Sequence, residues 1–306
     1  MQGRFRAFIF GFVFFSGSIA IHLATADPQT ESAKSANLSG KAHERRLSPS
    51  DLEIGGDVRG LTPGATRFLR REDLLTLPQV TYTVTDDSNF GGRTEISGVP
   101  LEELLHDLDG PSDSTLVIAI CADQYRASYP HAYLAKHHPV LVLKVNGQSP
   151  EHWPKDAEGH GQDMGPYLIS HPRFIPSFQV LSHSDEPQIP WGVVRLEFRD
   201  EARVFAAIAP RGAGAAESSV QDGYQIARQN CLRCHNLGSV GGQKARRPWP
   251  VLSAWAQTAP AYFASYVRNS RALNPHAQMP ANPGYDDATI RALIAYFRTF
   301  SQPEKP

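Results

Sequence analysis

Residues 231–235 read Cys231-Leu232-Arg233-Cys234-His235, a C-x-x-C-H run. Two thiols at this spacing can add across the two vinyl groups of a haem as thioethers. The adjacent histidine then lies under the ring and can bind the iron. Two other uses of the thiol pair compete with this one. A zinc site needs four ligands, and the chain has three cysteines in all. A thioredoxin-like dithiol needs a strand–helix setting, which the flanking sequence does not provide. The spacing therefore predicts one haem c, held covalently by Cys231 and Cys234, with His235 as an axial iron ligand.

Downstream residues supply a second ligand. Val220 to Asn230 predicts a helix leading into the motif, and Pro260 to Arg271 a second, with Tyr262, Phe263, Tyr266 and Val267 at helical spacing. Asp286-Asp287 starts a third, acids being favourable at a helix N-terminus. Its residues Ile290, Leu293, Ile294, Phe297 and Phe300 share one face. Between the last two helices runs Asn274-Pro275-His276-Ala277-Gln278-Met279-Pro280. A thioether sulfur is a soft ligand, and a His/Met pair fills both axial positions and raises the potential, which suits electron transfer. Met279 is the expected sixth ligand. The competing readings are a core methionine at 279 and His276 as a substitute ligand, although a loop histidine is ordinarily exposed.

With these pieces in order, residues 217–302 resemble a class I cytochrome c domain. The resemblance rests on the CLRCH motif, the AQMP loop and the final YDDATIRALIAYFRTF helix. It implies an all-α fold, covalent haem, His235 proximal and Met279 distal, and first and last helices that pack together.

The preceding part is β-rich. Val80 to Thr85 alternates apolar and polar residues as a half-buried strand does. Leu116 to Cys121 and Val140 to Val145 are continuous apolar runs, the second ended by Asn146-Gly147, and Trp191 to Phe198 alternates again. Short helices fit Arg71–Leu77 and Pro100–Asp107, giving a mixed α+β pattern. The pieces REDLLTLPQVTYTV, ISGVPLEELL, ADQYRASYP and PVLVLKVNGQ resemble the molybdopterin-binding domain of the sulfite-oxidase superfamily. That resemblance implies a sulfite-oxidase-like α+β fold and, in active members, a cysteine thiolate on molybdenum before the SGVPL segment. Here the region reads Thr85-Asp86-Asp87-Ser88-Asn89-Phe90-Gly91-Gly92, without cysteine, and Arg93 stands nearly alone as a cation for a cofactor phosphate. No molybdopterin is expected. Cys121 ends an apolar strand, the wrong position for the family's ligand, and is expected to be a small buried hydrophobe. His152, His160, His171 and His183 are scattered through loops and are expected at the surface. Glu158 to Gly165 reads as a flexible glycine-rich loop.

Arg4 and Arg6, the apolar run 7–23 and Ala24-Thr25-Ala26 read as a signal peptide over residues 1–26, an uncleaved anchor being the competing reading. Residues 27–50 are a polar lead-in, 51–208 the first domain, and 209–216, Ala-Pro-Arg-Gly-Ala-Gly-Ala-Ala, a linker that would let the second domain swing. No later stretch reaches the roughly 18 apolar residues of a membrane span. A net charge of −1 carries no nucleic-acid footprint. The expectation is a periplasmic single-haem electron carrier with redox protein partners and a non-catalytic docking domain. The alternatives are a molybdenum oxidoreductase fused to its haem acceptor, and a haem sensor whose ligand displaces Met279.

Overall fold

The apolar run at 115–121 forms a strand buried at every position, and the rest of the fold is layered on its two sides. The computed structural model describes residues 38–108, 115–157 and 161–300. The leader, the lead-in up to residue 37 and His160 lie outside the described residues. The first half holds eleven strands: β1 (Leu52–Gly56), β2 (Thr66–Leu69), β3 (Val80–Val84), β4 (Thr94–Pro100), β5 (Thr115–Cys121), β6 (Arg126–Pro130), β7 (Val140–Val145), β8 (Tyr167–Ser170), β9 (Gln179–Val180), β10 (His183–Ser184) and β11 (Trp191–Asp200). Short helices α1 (Arg71–Leu74), α2 (Leu101–Asp107) and α3 (His131–His137) connect them, and α4 (Glu201–Ala206) follows β11.

Nine strands make one mixed sheet in the order β2-β1-β11-β8-β7-β4-β3, with β5 paired to β11 and β6 paired to β5. Among the described residues β1 and β11 run parallel, and the other pairs are antiparallel. Across the β1–β11 pair Arg195 donates to Glu53 at 2.8 Å and also meets Glu197, so the charges on this face are paired. The lead-in is polar in sequence, yet Leu38 is fully buried in the main core and His43 exchanges backbone hydrogen bonds with Phe68 of β2. One leucine and one bridge anchor a stretch whose composition alone reads as loose.

The second half is helical: α5 (Ser218–Gln229), α6 (Trp249–Thr258), α7 (Pro260–Arg268), α8 (Ser270–Leu273) and α9 (Asp287–Arg298). Asp286 caps α9 by accepting from Thr289 N–H at 2.8 Å, as its acidic start predicts. The helix expected over 260–271 is split in two at Asn269, whose side chain caps α8 by accepting from Ala272 N–H. The α6 helix carries no clear periodic signal in sequence, because Trp249, Leu252, Ser253 and Ala256 form its buried face and two of these are small.

Alternation along β5 joins the two halves. Val117, Ala119 and Cys121 enter the core of the β-rich part. Leu116, Ile118 and Ile120 enter a cluster shared with Ile226, Trp249, Phe263, Leu293 and Phe297 of the helices. Residues 209–216 are turns, tied down by Gln221 Nε2 on Ala215 O and by Arg211 over the Phe300 ring. Tyr296 Oη donates to Ile208 O at 2.6 Å just before them. The helical part is thus docked on the sheet instead of swinging from a free linker.

The α5–α9 crossing requires a glycine. A Cβ built on Gly223 would lie 2.0 Å from Ala292 O and 2.8 Å from Tyr296 Cβ. Gly223→Ala is therefore expected to lower the unfolding free energy by about 1–3 kcal/mol through overpacking, although alanine is the better helix former. Gly284→Ala, which would meet no atom within 4 Å, serves as the control. Equal denaturant midpoints for the two variants would contradict a tight crossing.

Candidate functional site

Helix α5 ends at Gln229, and Cys231 to Arg233 continue as one turn of 3₁₀-helix. Cys234 N–H and His235 N–H both donate to Cys231 O, so the motif is wound tightly. A return loop presses on it. Gly242 N–H donates to Leu232 O at 2.8 Å, and a Cβ at Gly242 would stand 1.9 Å from Arg233 O. The side chain has to be absent for this loop to close.

His235 is buried, and its Nδ1 donates to Arg247 O at 2.5 Å. A carbonyl can only accept, so the proton sits on Nδ1 and the Nε2 lone pair is left for a metal. Arg247 is itself held, its guanidinium over the Trp255 and Tyr266 rings at 5.1 and 5.3 Å. Burial holds His235 below the ordinary histidine range, which keeps the imidazole neutral. Burial also pushes the Cys231 thiol up to about 12 and raises Cys234. A redox dithiol needs ready thiolate, which this enclosure disfavours. Neutral, enclosed thiols suit conversion to thioethers.

Met279 is half-buried and packs against the helical cluster, as does Cys231. Its loop is pinned by Ser270 Oγ, which donates to Met279 O at 2.7 Å from a fully buried position. His276 is exposed. Trp249 is fully buried, its ring against Tyr296 and Phe297. These features fit a haem.

The β-rich part meets the motif from the other side. Lys244 pairs with Asp123 at 2.6 Å, Gln243 N–H donates to Gln124 O, and Arg126 Nη1 donates to Ser239 O. His183 bonds Gln229 Oε1 through Nε2 and Tyr285 Oη through Nδ1, both at 2.9 Å. The expectation of surface histidines fails for His171 and His183, which are buried, as is His137 of α3, because the 171–188 loop folds back over α3 and against α5. His137 stacks on Phe174 and lies 3.5 Å from Asp185, while Tyr133 Oη meets His171 Nε2 at 3.0 Å. His152 is exposed. Nothing in local sequence separates these buried histidines from exposed ones, since the burial comes from loop packing.

At residues 85–92 Asp87 is buried and accepts from Ser170 Oγ at 2.8 Å and from Asn89 N–H at 3.0 Å. Asn89 Nδ2 donates to Ile189 O. Cys121 is buried at the end of β5, and burial raises its thiol well above the ordinary range. Among the described residues, no three His, Cys, Asp or Glu side chains converge as a metal cage, and no helix is long and apolar enough to cross a membrane.

Residues 218–297 match the family model described as cytochrome c oxidase, cbb3-type, subunit III. This part of the chain is a cytochrome c domain, which implies haem c and an electron carrier working with redox partners. Among solved structures the chain is similar to the sulfane dehydrogenase SoxCD from Paracoccus pantotrophus, with a TM-score of 0.33 and 20% identity over 51% of this chain. It spans 40% of that chain, less than half its length. No curated protein matches the sequence.

The buried histidines generate a pH dependence. Burial holds His171 down at about 3, and His137 and His183 are lowered as well. An unfolded histidine takes its proton near ~6.5. Between that pH and about 3 the unfolded chain binds more protons than the folded one, so stability falls as the pH drops through this window. Denaturant midpoints at pH 7 and pH 5 should differ less in His171→Asn than in the parent chain. An unchanged difference would remove His171 from the account.

Proposed function

We propose that the chain is an extracytoplasmic, periplasmic carrier of single electrons with one covalently held haem c. In this reading Cys231 and Cys234 would hold the haem as thioethers, and His235 through Nε2 and Met279 through its sulfur would be the iron ligands. The observation that carries it is the His235 side chain, whose Nδ1 is committed to Arg247 O inside a C-x-x-C-H turn. When bound, haem supplies a one-electron couple, and a His/Met pair favours electron transfer over oxygen chemistry. The protein's contribution is orientation and exclusion of water: Arg247 fixes the imidazole tautomer, Ser270 fixes the methionine loop, and Trp249 and the surrounding aromatics keep the centre dry.

We assign residues 51–208 to a sulfite-oxidase-like module that is not catalytic, with 209–216 as its junction to the cytochrome region 217–302. The support is chemical. A molybdenum site of this family uses a thiolate, and residues 80–96 have none. The buried Asp87, Asn89 and Ser170 there already satisfy one another. A buried carboxyl in place of a thiolate does not fit the soft ligation such a centre uses. Cys121 is committed to the core of the β-rich part. The module then serves to frame the cytochrome region and to offer a surface to redox partners. The alternative, a molybdenum oxidoreductase fused to its own haem acceptor, draws only on the likeness of the module.

One preparation separates the readings. The full chain matured in a host competent for haem c and molybdopterin should contain equimolar iron and no molybdenum. The haem should stay with the polypeptide on a denaturing gel and resist acid–acetone extraction. Cys231→Ala with Cys234→Ala should abolish the haem stain. Met279→Ala should remove the weak long-wavelength ferric charge-transfer band and lower the potential. Extractable haem would overturn covalent attachment, a retained band would overturn Met279, and stoichiometric molybdenum would restore the enzyme.

A further inference from the structure

A cleft of about 360 Å³ opens between β6, α3, the 177–188 loop and the C-terminal half of α5. Gln229 and Arg233, which bracket Cys231, form part of its wall. Its charge is one-sided. Arg126, Lys136, Arg228 and Arg233 line it against the single carboxylate of Glu201. The basic groups come from three different elements and the motif turn, so no local helix pattern accounts for their convergence.

Two of the cations are held by neutral carbonyls, Arg233 Nε on Gln229 O at 2.8 Å and Arg126 Nη1 on Ser239 O at 3.0 Å, which leaves their charge uncancelled. Arg228 is 4.0 Å from Glu201, and Arg233 is 3.7 Å from Glu186. Charge-assisted bonds between guanidinium and carboxylate close to about 2.7–2.9 Å, so both pairs are loose. Arg233 also meets the Tyr125 hydroxyl, a neutral group, and Arg126 Nε has no hydrogen-bond partner among the described residues. Arg228 is nonetheless fixed, its guanidinium 4.6 Å from the centre of the Phe205 ring. The rest of the wall is mixed: Phe205, Phe178 and Pro130 give it apolar surface, and Ser177, Gln188 and Gln225 give it neutral polar groups. Phe178 is 38% exposed, which leaves ring surface for a ligand to cover. The volume lies within the range of small-molecule sites, about 300–1,000 Å³.

We propose that this cleft binds a small organic anion. Its carboxylate or sulfonate head is held by Arg228, Arg233 and Lys136, and its flat apolar body lies against Phe178 and Phe205. A bare inorganic anion would fill little of the volume and leave the aromatic wall wet. The site uses none of Cys231, Cys234, His235 and Met279, and its occupancy does not rest on the electron-carrier reading.

The test uses the full chain matured with haem and titrated calorimetrically with sodium benzoate, sodium benzenesulfonate and neutral benzamide. The expected result is one saturable site for the two anions and none for benzamide, weakened by added salt. Lys136→Glu and Arg228→Gln should each reduce benzoate affinity by about tenfold or more, the loss of one charge-assisted contact. Arg228→Lys should retain part of it. An unchanged haem spectrum and thermal midpoint in each variant ensure that the loss is local. The proposal is overturned if neither anion binds at concentrations up to about 10 mM, a weak limit for a small ligand. It is equally overturned if benzamide binds as well as benzoate, or if folded Lys136→Glu and Arg228→Gln both bind benzoate like the parent.

Discussion

The two faces of β5 hold this molecule together. A strand with one face in water alternates apolar and polar residues; β5 is apolar throughout because both faces are covered. Val117 and Ala119 belong to the core beneath the sheet, and Leu116, Ile118 and Ile120 to the cluster with the helices. Complete burial of such side chains contributes about 1.5–3 kcal/mol each. Lifting the helical region away would expose three of them together, alongside Phe205 and Ile208. That cost explains why a glycine- and alanine-rich junction at 209–216 does not act as a tether. Composition describes what the junction could do alone, and packing on both sides of it decides what it does.

The same docking brings the haem-attachment turn under the control of a different part of the chain. Asp123, Gln124 and Arg126 hold residues 239–244, and His183 holds Gln229 and Tyr285. Ser182 caps the start of α9 together with Asp286, its Oγ accepting from Asp286 N–H at 3.0 Å. An isolated small cytochrome module has to fix its ligands from within its own few helices. Here a large sheet supplies part of the frame, so the motif turn is braced from both sides. The sheet is needed as this support whatever chemistry takes place on it.

Legibility in the sequence followed the range of the forces. The strands at 80–84, 115–121, 140–145 and 191–200 and the helices at 218–229 and 287–298 were readable, because each carries its own periodicity or apolar run. The short strands 52–56 and 66–69 were not, since they are stabilised by pairing with distant β11 and with each other. Helix α6 was missed for a related reason: Trp249 and Leu252 are buried beside serine and alanine, a weak pattern that the neighbouring α9 completes. The proposed ligand set, Cys231, Cys234, His235 and Met279, comes from the sequence, because attachment and ligation would demand particular side chains at fixed local spacing. The positioning groups do not. Arg247 acts through its backbone carbonyl, and Ser270 through a hydroxyl on a main-chain oxygen, so neither residue type announces the role.

The basic cleft shows how far that distinction extends. Arg126, Lys136, Arg228 and Arg233 are unremarkable one by one, and each has a plausible solvent-facing role in its own segment. Arg233 even sits inside the attachment motif, where its position is usually read as a spacer. Only the docking of α5 on β6 and α3 turns the four into one surface. Like charges are not gathered around a half-enclosed apolar space without cost, since desolvation and mutual repulsion both oppose it. Two loose carboxylate partners at 3.7 and 4.0 Å offset that cost in part. The remaining unmet capacity is what gives the cleft its selectivity: it rejects cations by repulsion and neutral molecules by leaving its guanidinium groups unpaired.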